Sequence, residues 1–219
     1  MQPGDGSLMI AGLVDSHMHS TFSSDARVTT VQMVEQAIRL GLREITFTEH
    51  LDLDPSDDGN DYLRPAEYLA EIERCQATYG DRITIRAGVE VGDVQRYGTE
   101  IARRLDGLPI DFIIGSVHFI DGHFVGGVGY LSSRPERQAI ADYFEQVLLA
   151  CATGGFDVHG HLDVFKRRSV PLYGPFDPLP WAEPIREALR LLIAGGMGIE
   201  VNTSGCRTDA EEPCPGLAV

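Results

Sequence analysis

Positive charge, paired cysteines and long apolar runs are all scarce in this 219-residue chain. Only 18 lysines and arginines face 33 aspartates and glutamates, a formal net charge of −15. Such a surface repels the phosphates of nucleic acids and the headgroups of anionic membranes, so neither is expected as a partner. No apolar run reaches the roughly 18 residues that a membrane-spanning helix needs. The opening stretch "MQPGDGSLMIAGLV" lacks the basic start and the length of apolar run that mark a secretory signal. The four cysteines, Cys75, Cys151, Cys206 and Cys214, contain no C-x-x-C pair. That spacing excludes a zinc ribbon and a dithiol redox motif, and it fits reduced thiols in a cytoplasmic protein.

What is present reads as an ordinary globular composition, 43% hydrophobic and 23% charged. The length suffices for one domain over residues 1–219 with a real core. Along it, apolar strand-like segments alternate with segments of helical spacing. The strands are predicted at "LMIAGLVDSH", "REITFTEH", "RITIRAGVEVG", "DFIIGSVHFI", "FDVHGHLDVF" and "MGIEVNTSG". Between them, "TTVQMVEQAIRLGL" places Val31, Val34, Ile38 and Leu42 on one face, and a second helix opens at Pro65 and closes at Gly80. Further helices are expected at "VQRYGTEIARRL", "RPERQAIADYFEQVLLACATGG" and "PWAEPIREALRLLIAGG". Strands alternating with helices imply an α/β fold with parallel pairing through right-handed crossovers, either a (β/α) barrel or a doubly wound sheet.

The chain has only seven histidines, yet six of them fall at the carboxyl end of a predicted strand: His17, His19, His50, His118, His159 and His161. His17 and His19, two apart on a strand, share a face. Glu90 sits in the third strand, in "GVEVG", and Asp25 follows the first strand in "SSDA". The carboxyl ends of parallel strands are where catalytic residues gather. A lone strand-end histidine is usually structural, but one on nearly every strand is a constellation. Neutral imidazoles with carboxylates suit zinc, iron or manganese, and a carboxylate such as Glu90 can bridge two ions. Ions roughly 3.5–4 Å apart lower the pKa of water and neutralise phosphoryl oxygens. His123, after the turn in "DGHF", reads as a surface residue, and His159 reads equally as a ligand or as a core residue.

In order, these motifs are H-x-H, T-x-H, G-x-E-x-G, G-S-x-H, G-H-x-D and N-T-S-G. They resemble the polymerase and histidinol phosphatase (PHP) superfamily, most closely its histidinol-phosphatase branch, over residues 12–207. The resemblance implies a distorted (β/α)7-type barrel with two or three divalent metal ions, zinc, manganese or iron, at the strand ends. It further implies that His17, His19, Asp25, His50, Glu90, His118 and His161 are metal ligands. Glu90 is then the bridging carboxylate, and Lys166 and Arg207 are cations for a phosphate. The reaction implied is hydrolysis of L-histidinol phosphate in histidine biosynthesis, by hydroxide generated at the metal site. Glu49 or Asp52 is a candidate for the substrate amine.

Two other readings stay open: a phosphoesterase for another small ester such as a nucleotide, and a non-catalytic metal-binding domain. The family's seventh strand normally ends in an Asp-x-His pair, and no such pair follows the sixth strand here. The expectation is therefore a barrel of about six βα units belonging to a shortened chain. A partner subunit, in a possible homo-oligomer, is the other way to fill the gap. The third ion is then held weakly or not at all.

Overall fold

A computed structural model describes residues 12–219. The predicted first strand begins at Leu8, and its start lies outside the described residues. The elements are β1 (Val14–Met18), α1 (Thr30–Leu40), β2 (Glu44–Leu51), α2 (Pro65–Tyr79), β3 (Thr84–Gly92), α3 (Val94–Leu105) and β4 (Phe112–Ser116). A hairpin follows, β5 (Phe119–Ile120) and β6 (His123–Phe124), then α4 (Val128–Ser132), α5 (Glu136–Thr153) and β7 (Val158–His159). The chain closes with α6 (Val170–Tyr173), α7 (Ala182–Gly195) and β8 (Gly198–Ile199). The main sheet has the order β1-β2-β3-β4-β7-β8, every pairing parallel. It curls into a half-barrel, with β1 and β8 as its two edges. Among the described residues no helix is long and apolar enough to cross a membrane, and all four cysteines are free.

Local chemistry explains the elements. Helix α1 starts in a capping box: Gln32 N donates to Thr29 Oγ1 at 3.3 Å, and Thr29 N donates to Gln32 Oε1 at 3.0 Å. It stops at Gly41, whose φ of 75° closes the last turn. Val34 and Ala37 are buried, with Val31, Ile38 and Leu42 packed beside them. Helix α5 buries Ile140, Tyr143, Phe144 and Val147 against the core. Strands β2 and β3 pair in unbroken parallel register from Glu44↔Thr84 to Leu51↔Val91. That register sets His50 beside Glu90.

The later strands are shorter than predicted, and the cause is visible. Strand β4 ends at Ser116 because Asp93 accepts the next backbone donors, His118 N at 3.2 Å and Phe119 N at 3.0 Å. The predicted continuation instead forms the β5–β6 hairpin about Asp121-Gly122, both with positive φ. Strand β7 ends after His159 because Glu200 Oε2 accepts His161 N at 2.8 Å, where a ladder partner would stand. A 3-10 turn, Val164–Arg168, follows.

Candidate metal centre

The carboxyl ends of β1, β2, β3, β4 and β7 converge on Glu90, which is 1% exposed. Oε2 of Glu90 lies 3.1 Å from His17 Nε2, 3.4 Å from His19 Nε2 and 3.4 Å from His50 Nδ1. Oε1 lies 2.9 Å from His161 Nε2 and 3.2 Å from His118 Nε2, and it accepts the Ser116 hydroxyl at 2.6 Å. Five imidazoles thus face the two oxygens of one buried carboxylate. Three groups bring their ligand atoms within 4.8 Å of one another: His17 with Glu90 and His161, His19 with His50 and Glu90, and His50 with Asp52 and His118. Asp25 stands at the rim, its Oδ2 3.7 Å from His50 Nε2. All seven predicted metal ligands therefore gather in one cavity of about 850 Å³.

The electrostatics fit bound cations. Burial disfavours the charged form of His17, but the carboxylates of Glu90 and Glu200 outweigh it and hold its pKa at about 10. His118 is likewise opposed by burial and raised to about 10 by Asp52 and Glu90. His50 is raised well above the ordinary histidine value by Glu90, Asp25 and Asp52, again against burial. His19, stacked 4.3 Å from His50, is pushed down to about 3 by burial and by the charge of His50. Glu90 itself is held well below the usual carboxylate range by His17, His118 and His50, despite its burial. Protons on three imidazoles balance Glu90, Glu200 and Asp52, and this is the positive charge that divalent ions would supply. The buried Nδ1 of His161 has no hydrogen-bond partner. Imidazole nitrogens around a shared carboxylate are a donor set suited to zinc, manganese or iron.

Behind the predicted ligands stand groups that the sequence did not single out for this task. Glu200 Oε1 lies 2.6 Å from His17 Nδ1, and Asn202 Nδ2 donates to the same oxygen at 3.0 Å. Asp52 Oδ1 lies 2.8 Å from His118 Nδ1, and its Oδ2 lies 2.9 Å from His50 Nδ1. At His17 and His118 the carboxylate meets the ring nitrogen turned away from Glu90, which fixes the orientation and basicity of a metal-binding histidine. Gly92 explains the second glycine of "GVEVG". A Cβ there would stand 1.8 Å from Asp52 Oδ1 and 3.1 Å from His118 Nδ1.

Other expectations need correction. Lys166 does not face the cavity. Its ammonium is buried against Asp163 Oδ2 at 2.9 Å, Glu212 Oε1 at 2.9 Å and the Pro213 carbonyl at 2.7 Å. It ties the C-terminal segment to the 3-10 turn, and the neighbouring Arg167 lines the cavity instead, with Arg207. Arg167 donates to the Ser204 hydroxyl. The resemblance implied a cation at Lys166, but the 3-10 turn aims successive side chains differently and turns Lys166 into the protein, toward Asp163 and Glu212. Glu49 is fully buried and bonds to Ser20 and Ser23, away from any substrate. Asp52 is occupied by the two histidines. His159 is wholly buried, its Nδ1 2.8 Å from the Gly160 carbonyl, and burial lowers its pKa to about 4. It is a core residue here. His123 is exposed, at the mouth of the cavity.

Comparison with known proteins agrees with this geometry. The PHP domain family matches residues 15–204. The chain is 36% identical over 202 residues to the histidinol-phosphatase of Lactococcus lactis, spanning 87% of this chain and 71% of that protein. It is 26% identical over 224 residues to the histidinol-phosphatase of Bacillus subtilis, spanning 88% and 81%. Among solved structures, the Lactococcus lactis histidinol phosphate phosphatase, complexed with zinc, L-histidinol and phosphate, superposes with a TM-score of 0.79. That match is 30% identical and covers 88% of this chain and 74% of the other.

Proposed function

The chain belongs to the PHP domain family, and on that premise we propose that it is a metal-dependent phosphomonoesterase hydrolysing L-histidinol phosphate to L-histidinol and phosphate. The observation that carries the reading is the ring of five imidazoles around Glu90. His17, His19, His50, Glu90, His118 and His161, with Asp25 at the rim, would hold two or three divalent ions, with zinc, manganese or iron as candidates. Such ions lower the pKa of water and neutralise charge on the phosphoryl oxygens.

The rest is the work of the chain itself. Arg167 and Arg207 offer planar guanidiniums to the phosphate, a geometry suited to paired hydrogen bonds with its oxygens. Glu200 and Asp52 keep His17 and His118 turned toward Glu90. Asp57 and Asp58 line the same cavity and offer carboxylates to the substrate's ammonium. Phosphate would enter a cavity lined by more carboxylates than arginines, so positive charge at Glu90 is a condition of binding.

The test is phosphate release from L-histidinol phosphate, p-nitrophenyl phosphate and a nucleoside monophosphate, each with zinc, manganese or iron added. A kcat/KM at least ~10²-fold higher for L-histidinol phosphate is expected, the scale of discrimination available from a polar site built for one substrate. Equal rates on all three would leave a phosphatase of other specificity.

A further inference from the structure

Glu49 is a puzzle that the proposed reaction leaves unsolved. Its carboxylate is 0% exposed, and none of its hydrogen bonds comes from a cation. Burying an ionisable group this way is costly unless hydrogen bonds compensate for the lost water. Here they come from one loop. Ser20 Oγ donates to Oε1 at 2.6 Å, Ser23 Oγ donates to Oε2 at 2.6 Å, and Ser20 N reaches both oxygens at 3.0 Å. Thr30, the first residue of α1, donates to Ser20 Oγ at 3.2 Å.

The position of this cluster explains its construction. The β1–β2 register shifts between Asp15 and Met18. Beyond the break, side chains of β2 replace the backbone ladder. Thr48 Oγ1 accepts Met18 N at 3.2 Å, and Glu49 accepts Ser20 N. Glu49 precedes His50 on β2, so its side chain takes the opposite face of the sheet, away from the cavity. It grips from behind the loop that runs from His19 to Asp25.

Ser23 links this grip to the metal site. Its hydroxyl has a single proton, and Glu49 takes it. Toward its other neighbours Ser23 Oγ can only accept. It accepts His50 N at 2.9 Å and lies 3.3 Å from His19 Nδ1. His19 must then carry its proton on Nδ1 and present a lone pair at Nε2, the atom that faces Glu90. We propose that Glu49 is a positioning residue which, through Ser23, sets the His19 tautomer and the placement of the His19–Asp25 loop, and so the affinity of the ion held by His19, His50 and Glu90. The role rests on the metal-centre reading above. Neutralising Glu49 would free the Ser23 proton to turn toward His19 Nδ1. The imidazole would then hold its proton at Nε2, where a ligand must have none.

The experiment compares wild type with Glu49→Gln and Ser23→Ala. Chelator-stripped protein is titrated with zinc in competition with a chromophoric chelator, and the 15N shifts of the His19 ring are read in the stripped protein near neutral pH. Thermal unfolding identifies any variant that fails to fold, and Ser23→Ala, which removes only a hydroxyl, serves if Glu49→Gln does. In wild type His19 is expected as the Nδ1–H tautomer. In the variants one class of zinc site should weaken ~10–100-fold while the remaining sites keep their affinity, the scale typical of groups that orient metal-binding histidines. Unchanged affinity at every site in a folded variant, an equal loss at all sites, or an Nε2–H tautomer in wild type would overturn the role of Glu49. Wild type that binds no zinc would overturn the metal centre itself.

Discussion

A carboxylate sealed beneath five imidazoles must be matched by positive charge, either protons or metal ions. At Glu90 the two alternatives compete for the same nitrogens, which leads to two predictions. Glu90→Gln keeps the shape and removes the charge that both sets of imidazoles share. Turnover should fall by at least ~10²-fold with reduced metal content, because a ligand's lost charge weakens the ions and raises the pKa of water beside them. Glu35→Gln on the exposed side of α1, where the carboxylate accepts a hydrogen bond from Tyr79 Oη, should leave both unchanged. The second prediction concerns protons. His17 and His118 are held at about 10 in the metal-free site, so near pH 7.5 both are protonated. Ligation needs the neutral ring, so metal uptake must expel those protons, and affinity must fall as pH drops. Zinc added to stripped protein near pH 7.5 should release two or more protons per chain, one each from His17 and His118. Calorimetry in buffers of different ionisation enthalpy measures this, and no buffer dependence would contradict the charge assignment.

At the scale of elements, the sequence was most legible where regular periodicity decides structure. Helices α1, α2 and α3 and strands β2 and β3 lie within a residue or two of their predicted limits, because burial on one face and caps at the ends determine them. Histidines at strand ends could be found because the parallel fold gives those ends a common meaning. What could not be read is where side chains take over the ladder. Asp93 ends β4 and Glu200 ends β7 by accepting backbone donors, and no local pattern announces either. Arg167 escaped notice because it lies beyond the predicted strand, in a 3-10 turn that no local pattern announced.

The correction at Lys166 is testable against its neighbour. Lys166→Ala leaves Asp163 buried without its cation and should cost about 3–5 kcal/mol in chemical denaturation. Arg167→Ala should leave stability nearly unchanged and raise KM for the phosphate ester. The opposite assignment of effects would restore Lys166 as the phosphate cation. Gly92→Ala, which drives a methyl into Asp52, should lower turnover by loosening the carboxylate behind His118. Full activity in that variant would show that the Asp52–His118 contact is dispensable.

The whole molecule carries a net charge of −15, and its cavity wall repeats that sign. Cations at the strand ends therefore act on the fold as well as on the substrate. An ion bound only by the native state and present at 100 times its Kd adds about 2.7 kcal/mol of stability. In a chain of this size that corresponds to roughly 5–10 °C in Tm for each independent ion. Chelation should lower the unfolding midpoint by at least that amount, and scanning calorimetry with and without chelator shows it. The central claim is that the imidazoles around Glu90 form a metal centre for phosphomonoester hydrolysis. Its most direct test is a single titration: chelator-stripped protein receives zinc or manganese in steps while phosphate release from L-histidinol phosphate is followed. The account predicts negligible release before addition and a rise that saturates at two or three equivalents per chain. Turnover that survives stripping, or that never appears at any metal content, would contradict it.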